Sequence, residues 1–262
     1  MATTIFLVNP QTFPSSWVNE YSLSFDGVDE SLASPANTAA HFSASSGLTY
    51  SAWVNFSTIN TSIVVRPIIG ISNDSSSLKR CLLYTYPVAS SMWCFFEIYN
   101  GSAQANGRFS LGGLSTGTWY HIAAVFDGSQ TGTNRIKIYL NGVSQTLTYN
   151  ANTPPTTLPN YTSQNFEIND YESNNSENFH GLLDEVAIFD YGLSSAEVTA
   201  VYNSGAPTDL NNTSGLTAPR NWWRMGDGGT WDGTNWTIPC EQGNGDMTSN
   251  NMEEVDRTTN IP

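Results

Sequence analysis

The 262-residue chain carries 23 acidic against 9 basic residues, a net charge of −14, and only 12% of it is charged. Such a balance repels phosphate backbones and anionic bilayer surfaces, which argues against nucleic acid as a partner. No apolar run approaches the roughly 20 residues of a membrane span, so membrane insertion is not expected either.

In chain order, residues 1–18 hold the apolar run Ile5 to Val8 and then Pro10 and Pro14, which reads as an extended arm. Tyr21, Leu23 and Phe25 alternate with Ser22 and Ser24, a half-buried strand that ends at the Asp26-Gly27 turn. Leu48, Tyr50, Ala52, Val54 and Phe56 share one face of the next strand. Trp53 points the other way, either as a ligand platform or as part of a second packing layer. Ile63 to Ile71 and Leu82 to Tyr86 are strand candidates separated by the turn-like run Asn73 to Ser77. Met92 to Tyr99 is a strongly apolar strand that ends at a hairpin signal, Asn100-Gly101.

The clearest strand signal spans Gly117 to Gly128, GTWYHIAAVFDG, followed by Ile136 to Leu140 and the pair Asn141-Gly142. Asn-Gly tolerates two successive positive φ angles, so the chain is expected to reverse there and run antiparallel from Val143 to Tyr149. Residues 150–164 contain Pro154, Pro155 and Pro159 and read as a loop. Ser194 and Glu197 have capping-box spacing, and Val198, Val201 and Tyr202 follow at helical spacing before Gly205, giving one short helix.

The GTWYHIAAVFDG strand leading into IYLNG resembles the signature of laminin-G-like domains in the concanavalin A-like lectin superfamily. Leu23 to Asp29 (LSFDGVD) and Gly181 to Phe189 (GLLDEVAIF) resemble the flanking motifs of that family, in the same order. The resemblance implies an all-β fold: an antiparallel jelly-roll β-sandwich with one short helix and extended terminal segments. The expected organisation is an arm at 1–18, the sandwich at 19–206 and a carboxy-terminal extension at 207–262. Within that extension, Asn221 to Gly228 and Gly243 to Met247 resemble a segment that many family members carry before the Phe-Asp-Gly strand. Its late position implies either a permuted chain that closes its own sandwich or a strand swapped into a neighbouring subunit.

A glycoside hydrolase needs two carboxyl groups roughly 5 to 10 Å apart. Asp184 and Asp190 would lie about 20 Å apart on an extended strand, and alternation sends Glu185 to the face opposite Asp184. His41, His121 and His180 show no metal or catalytic spacing, and no nucleophile elbow or phosphate loop is present, so no enzyme activity is expected. Cys81, Cys94 and Cys240 fit no zinc spacing; Cys81 and Cys94 either pair across a hairpin or remain buried thiols. The resemblance also implies a calcium ion near the Phe-Asp-Gly turn and the Asp-Glu-Val strand, with Asp26, Asp29 and Asp184 at the matching positions. The competing reading is an Asx turn at Asp26 and a strand cap at Asp184. Trp222, Trp223, Trp231 and Trp236 cluster in the extension as a ligand or interface surface, or as core anchors.

The amino terminus has no signal-peptide pattern, and sequons such as Asn55-Phe56-Ser57 recur, which suits a source without a glycosylating secretory pathway. Laminin-G-like chains of this kind are similar to virion proteins of marine bacteriophages, and the segment Met247 to Pro262 resembles tails found among them. That similarity implies a non-enzymatic virion protein, capsid decoration or fibre-associated, made in the host cytoplasm and released by lysis. It would form a homo-oligomer and contact other virion proteins such as the major capsid protein. The alternative expectation is a calcium-dependent adhesin that binds host-surface glycans.

Overall fold

The computed structural model describes residues 17–59, 64–71, 79–170 and 178–262. Residues 1–16 of the expected arm at 1–18, the position Ile63 and the turn at 73–77 lie outside these residues. The first strands are β1 (Ser22–Asp26), β2 (Ser31–Ala33), β3 (Gly47–Phe56), β4 (Arg66–Ile71), β5 (Lys79–Val88), β6 (Ser91–Asn100) and β7 (Gln104–Ser110). Next come β8 (Trp119–Asp127), β9 (Ile136–Leu140), β10 (Val143–Ser144), β11 (Thr148–Tyr149), β12 (Phe166–Ile168) and β13 (His180–Phe189). Helix α1 (Ser195–Tyr202) follows, then β14 (Asn221–Trp223), β15 (Thr230–Trp231), β16 (Trp236–Ile238), β17 (Met247–Asn250) and β18 (Arg257–Thr258).

These strands form two antiparallel sheets, the β-sandwich that the motifs imply. The first runs β10-β9-β8-β3-β13-β1-β18 with β14 also on β13; the second runs β11-β7-β6-β5-β4-β12-β2-β17-β16-β15. The GTWYHIAAVFDG strand is β8, and it pairs with β3 from Gly47 opposite Asp127 to Asn55 opposite Trp119. Leu48, Tyr50, Ala52, Val54 and Phe56 of β3 and Ile122, Ala124 and Phe126 of β8 fill the space between the sheets. On the far face of the first sheet, Ala123, Val125, Ala187 and Phe189 are covered by Leu193, by Val198 and Val201 of α1, and by Leu210 and Trp222. Trp53 belongs to this second layer: it is 3% exposed and stacks on Tyr202 at 5.8 Å.

Local signals account for the turns. Asn141 and Gly142 have φ of 50° and 76°, the two positive angles the hairpin requires. Ser194 and Glu197 form the reciprocal capping box of α1. The strand expected from Val143 to Tyr149 is corrected: β10 pairs with β9 in the first sheet, whereas β11 pairs with β7 in the second. Val143 is exposed at the sheet edge, and Leu147 and Tyr149 reach apolar cover only by crossing the rim of the sandwich.

Residues 207–262 are part of the sandwich rather than an appendage. β14 pairs with β13, β17 with β2 and β18 with β1, all within this chain. For three of the four clustered tryptophans the core-anchor alternative is the one the structure takes. Trp222, Trp223 and Trp236 are 1%, 0% and 1% exposed, and Trp231 is half-buried with its ring 5.6 Å from that of Trp236. Each fully buried indole N–H donates inward: Trp222 to Glu185 Oε2 at 2.5 Å, Trp223 to the Gly245 carbonyl at 2.9 Å and Trp236 to the Glu253 carbonyl at 2.9 Å. With rings packed and donors satisfied, these side chains are core anchors and present no ring to a ligand. Trp223→Ala is therefore expected to cost about 3–5 kcal/mol, read as a lower urea midpoint, whereas half-buried Trp231→Ala loses markedly less.

Candidate functional site

The two sheets differ in what covers them. The outer face of the first is roofed by α1 and the segment after it, while among the described residues no helix or strand forms a layer over β5, β6 and β7 of the second. In these three strands alternation turns Cys81, Leu83, Cys94, Phe96, Ile98 and Phe109 into the core. The intervening residues face outward, and the pairing sets them in rows. Tyr84 lies opposite Phe95 and Phe95 opposite Arg108; Leu82 lies opposite Glu97 and Glu97 opposite Asn106; Tyr86 lies opposite Trp93.

The rows line a groove of about 360 Å³, within the range of ligand pockets. Its floor is a stack across the strands: Tyr84 on Phe95 at 5.0 Å and 12°, then the Arg108 guanidinium 5.2 Å from the Phe95 ring and 5.6 Å from that of Trp93. Tyr86 stands half-exposed at one end, edge-on to Phe95 at 6.3 Å. At the other end Glu97, 1% exposed, accepts from Arg80 Nε at 2.7 Å, from Tyr84 Oη at 2.9 Å and from Gln104 Nε2. Three buried polar atoms along this surface, Trp93 Nε1, Asn106 Oδ1 and Arg108 Nε, have no hydrogen-bond partner. Such orphans cost about 1–3 kcal/mol each when left unpaired, and a ligand's polar groups could satisfy them here. None of these residues was singled out from sequence. The available signal was the placement of Arg80, Glu97 and Arg108 on alternate positions of aromatic strands in a chain with few charges.

A second cluster surrounds β13. A bulge between Asp184 and Ala187, with Glu185 at φ 49°, breaks the alternation. Asp184 and Glu185 therefore lie on one side, correcting the expectation of opposite faces. Asp184 Oδ2 accepts from Asn19 Nδ2 at 2.8 Å, and Glu185 Oε1 accepts from Arg224 Nε at 3.2 Å. Asp227 accepts from Arg224 Nη2 at 3.0 Å and from the Glu20 amide. Burial, reinforced by the neighbouring Glu185 charge, pushes the Asp184 carboxyl well above its usual range. Burial lifts Glu185 to about 7 against the opposing pull of Arg224 and the Trp222 N–H. Every carboxylate here is held by a structural partner, so the cluster docks the segments 17–20 and 222–227.

The residues expected to hold calcium do not converge. Asp26 lies opposite His180, four residues before Asp184 on β13, or about 13 Å at the usual strand rise. Asp26 Oδ1 accepts from the Val28 amide at 2.7 Å, an Asx turn, and Asp29 offers its carbonyl to Asn251. Asp184 is buried on Asn19 and its own bulge, and no group of three metal-ligating side chains forms among the described residues. Asp26, Asp29 and Asp184 thus do not fit a single ion. His121 packs against both Trp53 and Tyr202 with Ser51 Oγ at 2.8 Å, and burial lowers it to about 3.

The model of the concanavalin A-like lectin/glucanases superfamily matches residues 26–199. Curated proteins give no match. Among solved structures, a Bacteroides ovatus protein described as a candidate carbohydrate binder is 16% identical, with a TM-score of 0.59. The alignment covers 92% of this chain and 60% of that one, so the chain spans about three fifths of its relative. The CBM40 of the Ruminococcus gnavus IT-sialidase, solved with α2,3-sialyllactose, is 12% identical over 69% of this chain and 96% of that one, with a TM-score of 0.50. The enzymatically active domain of tailspike protein 2 from bacteriophage CBA120 is 11% identical over 70% of this chain and 27% of that one, at 0.51. At these identities the likeness is one of fold.

The raised carboxyls give a pH signature. Glu30, lifted to about 8 by burial and by the Asp256 and Asp26 charges against the pull of the Asp26 amide, and Glu185, lifted to about 7, keep protons that the unfolded chain releases near 4.5. Their contribution is complete below pH 4.5 and is lost as pH rises through about 7 for Glu185 and about 8 for Glu30. Urea midpoints are expected to fall across that window, and Glu30→Gln to flatten its upper part.

Proposed function

The chain belongs to the concanavalin A-like lectin and glucanase superfamily, and from that premise we propose that it is a glycan-binding module without catalytic activity, holding its sugar in the β5–β6–β7 groove. The observation that carries this reading is the groove in which half-exposed Tyr86 ends a floor formed by the Tyr84–Phe95 stack, whose residues are 7% and 4% exposed, with polar Asn106, Gln104 and Arg108 beside it. A sugar has an apolar C–H face and a rim of hydroxyls, and a surface that joins aromatic rings to fixed donors and acceptors matches both.

What supports the absence of catalysis is the groove's charge pattern. Glu97 is its single carboxylate among the lining residues and is already bound by Arg80, Tyr84 and Gln104. Glycoside hydrolysis needs a second carboxyl across the scissile bond. Binding in this reading uses no metal, since no groove residue pairs with another carboxylate.

The location we propose is a bacteriophage virion, where glycan binding would serve attachment to a host surface. What suggests it is the resemblance read in the sequence between residues 247–262 and the carboxy-terminal segments of laminin-G-like phage virion proteins. Quantitative mass spectrometry of purified particles from the source is expected to find this chain with the major capsid protein; its absence would remove the location and leave the binding reading intact.

The binding reading is checked by glycan-array screening followed by calorimetry. Tyr86→Ala is expected to weaken binding about tenfold or more with little loss of stability, and chelator to leave binding unchanged. No binding to any glycan would overturn the reading.

A further inference from the structure

We propose that the groove selects sugars bearing a carboxylate, the pyranose acids represented by sialic and uronic acids, and that Arg108 is the residue that receives the carboxylate. The inference rests on the glycan-binding reading above and adds the class of sugar.

Charge carries the argument. The chain has a net charge of −14 and only 9 Lys and Arg residues, so it has few cations to place on any one surface. The groove's charged residues are Arg80, Glu97 and Arg108. Arg80 and Glu97 neutralise each other through the 2.7 Å contact, which leaves one positive charge on Arg108. Among the described residues Arg108 makes no ion pair; its neighbours are the faces of Phe95 and Trp93, at 5.2 and 5.6 Å. Those cation–π contacts hold the guanidinium beside the rings without using its hydrogen bonds.

The consequence is a pre-ordered, planar fork of donors beside an apolar wall. A carboxylate matches such a fork with two parallel charge-assisted bonds, and the match is stronger where aromatic rings displace water. Hydroxyls of a neutral sugar can use the same donors, but as single, uncharged acceptors. Position agrees with this role. Tyr86 and Arg108 are on strands two spacings apart and offset by two residues along them, roughly 12 Å between backbones, a span that the Arg108 side chain and one pyranose resting on Tyr86 with a carboxylate arm can cover. Asn106, whose buried Oδ1 lacks a partner, and Gln104 border the same groove as sites for the ring hydroxyls.

The test titrates the full chain with four probes: lactose, α2,3-sialyllactose, its methyl ester and a galacturonic acid oligosaccharide. One or both acidic probes should bind at least about tenfold tighter than lactose, and esterification should erase the advantage without any change to the protein. The pattern across sialyllactose and the uronate identifies which acid the groove takes. Arg108→Gln should remove the acid preference, so that the variant binds the acidic probes no tighter than it binds lactose, while leaving the melting temperature in place, and Arg108→Lys should restore part of the preference. Should Arg108→Gln fail to fold, the ester comparison alone decides. Equal binding of lactose and both acids, or of ester and acid, would overturn acid selection while glycan binding stands. Failure of all four probes, together with a blank glycan array, would overturn the underlying reading itself.

Discussion

Two adjacent carboxyl groups, Asp184 and Glu185, are buried where three parts of the chain meet, and the architecture depends on how their oxygens are satisfied. The β13 bulge lets one edge of this strand serve two partners in succession: β1 pairs with residues 180–183 and β14 with residues 186–188. Asn19 arrives with the segment before β1, and Arg224 and Trp222 arrive with β14, so each partner strand brings the donor that its neighbouring carboxylate needs. A buried charge without these partners would be strongly destabilising. The contact therefore couples the beginning of the sandwich to its end, and it explains why residues 207–262 are integral to a domain whose family signature ends near residue 199.

That closure also creates the asymmetry on which function turns. Once the chain has laid α1 and Trp222 over the first sheet, the outer face of the second is left with aromatic and charged side chains in cross-strand rows. The groove thus follows from the order in which the chain spends its covering segments. Its rigidity has the same origin, because Tyr84, Phe95 and Arg108 sit on three hydrogen-bonded neighbours rather than on loops.

Much of this fold was legible in the sequence. The GTWYHIAAVFDG strand, the Asn141-Gly142 reversal and the Ser194–Glu197 capping box are written in local chemistry, and each appears where its residues place it. The groove was not legible in the same way. Alternation in Leu82 to Tyr86 and Met92 to Tyr99 sorts residues into two faces, but only the packing of distant segments decides which face carries the groove. The tryptophans misled for the related reason that burial is a property of what covers a ring, and Trp223 and Trp236 are covered by residues far away in the chain. The bulge at Glu185 was hidden because a single positive φ at a non-glycine residue leaves no compositional trace, yet it moves a carboxylate to the other side of its strand. Asp26 and Asp184 matched a family pattern in order, and the register separates them.

The pairing of β1 with β18 has a mechanical consequence. Ser22 lies opposite Thr258, and its hydroxyl donates to the Asn260 carbonyl at 2.7 Å. The two strands are antiparallel, so the chain enters β1 and leaves β18 at the same end of the pair. Tension applied through the two ends would therefore peel these strands apart one contact at a time, as a zipper opens, instead of loading all contacts together in shear. The seam that closes the sandwich is in this respect its weakest direction under load, while the broad β3–β8 pairing lies away from the line of force.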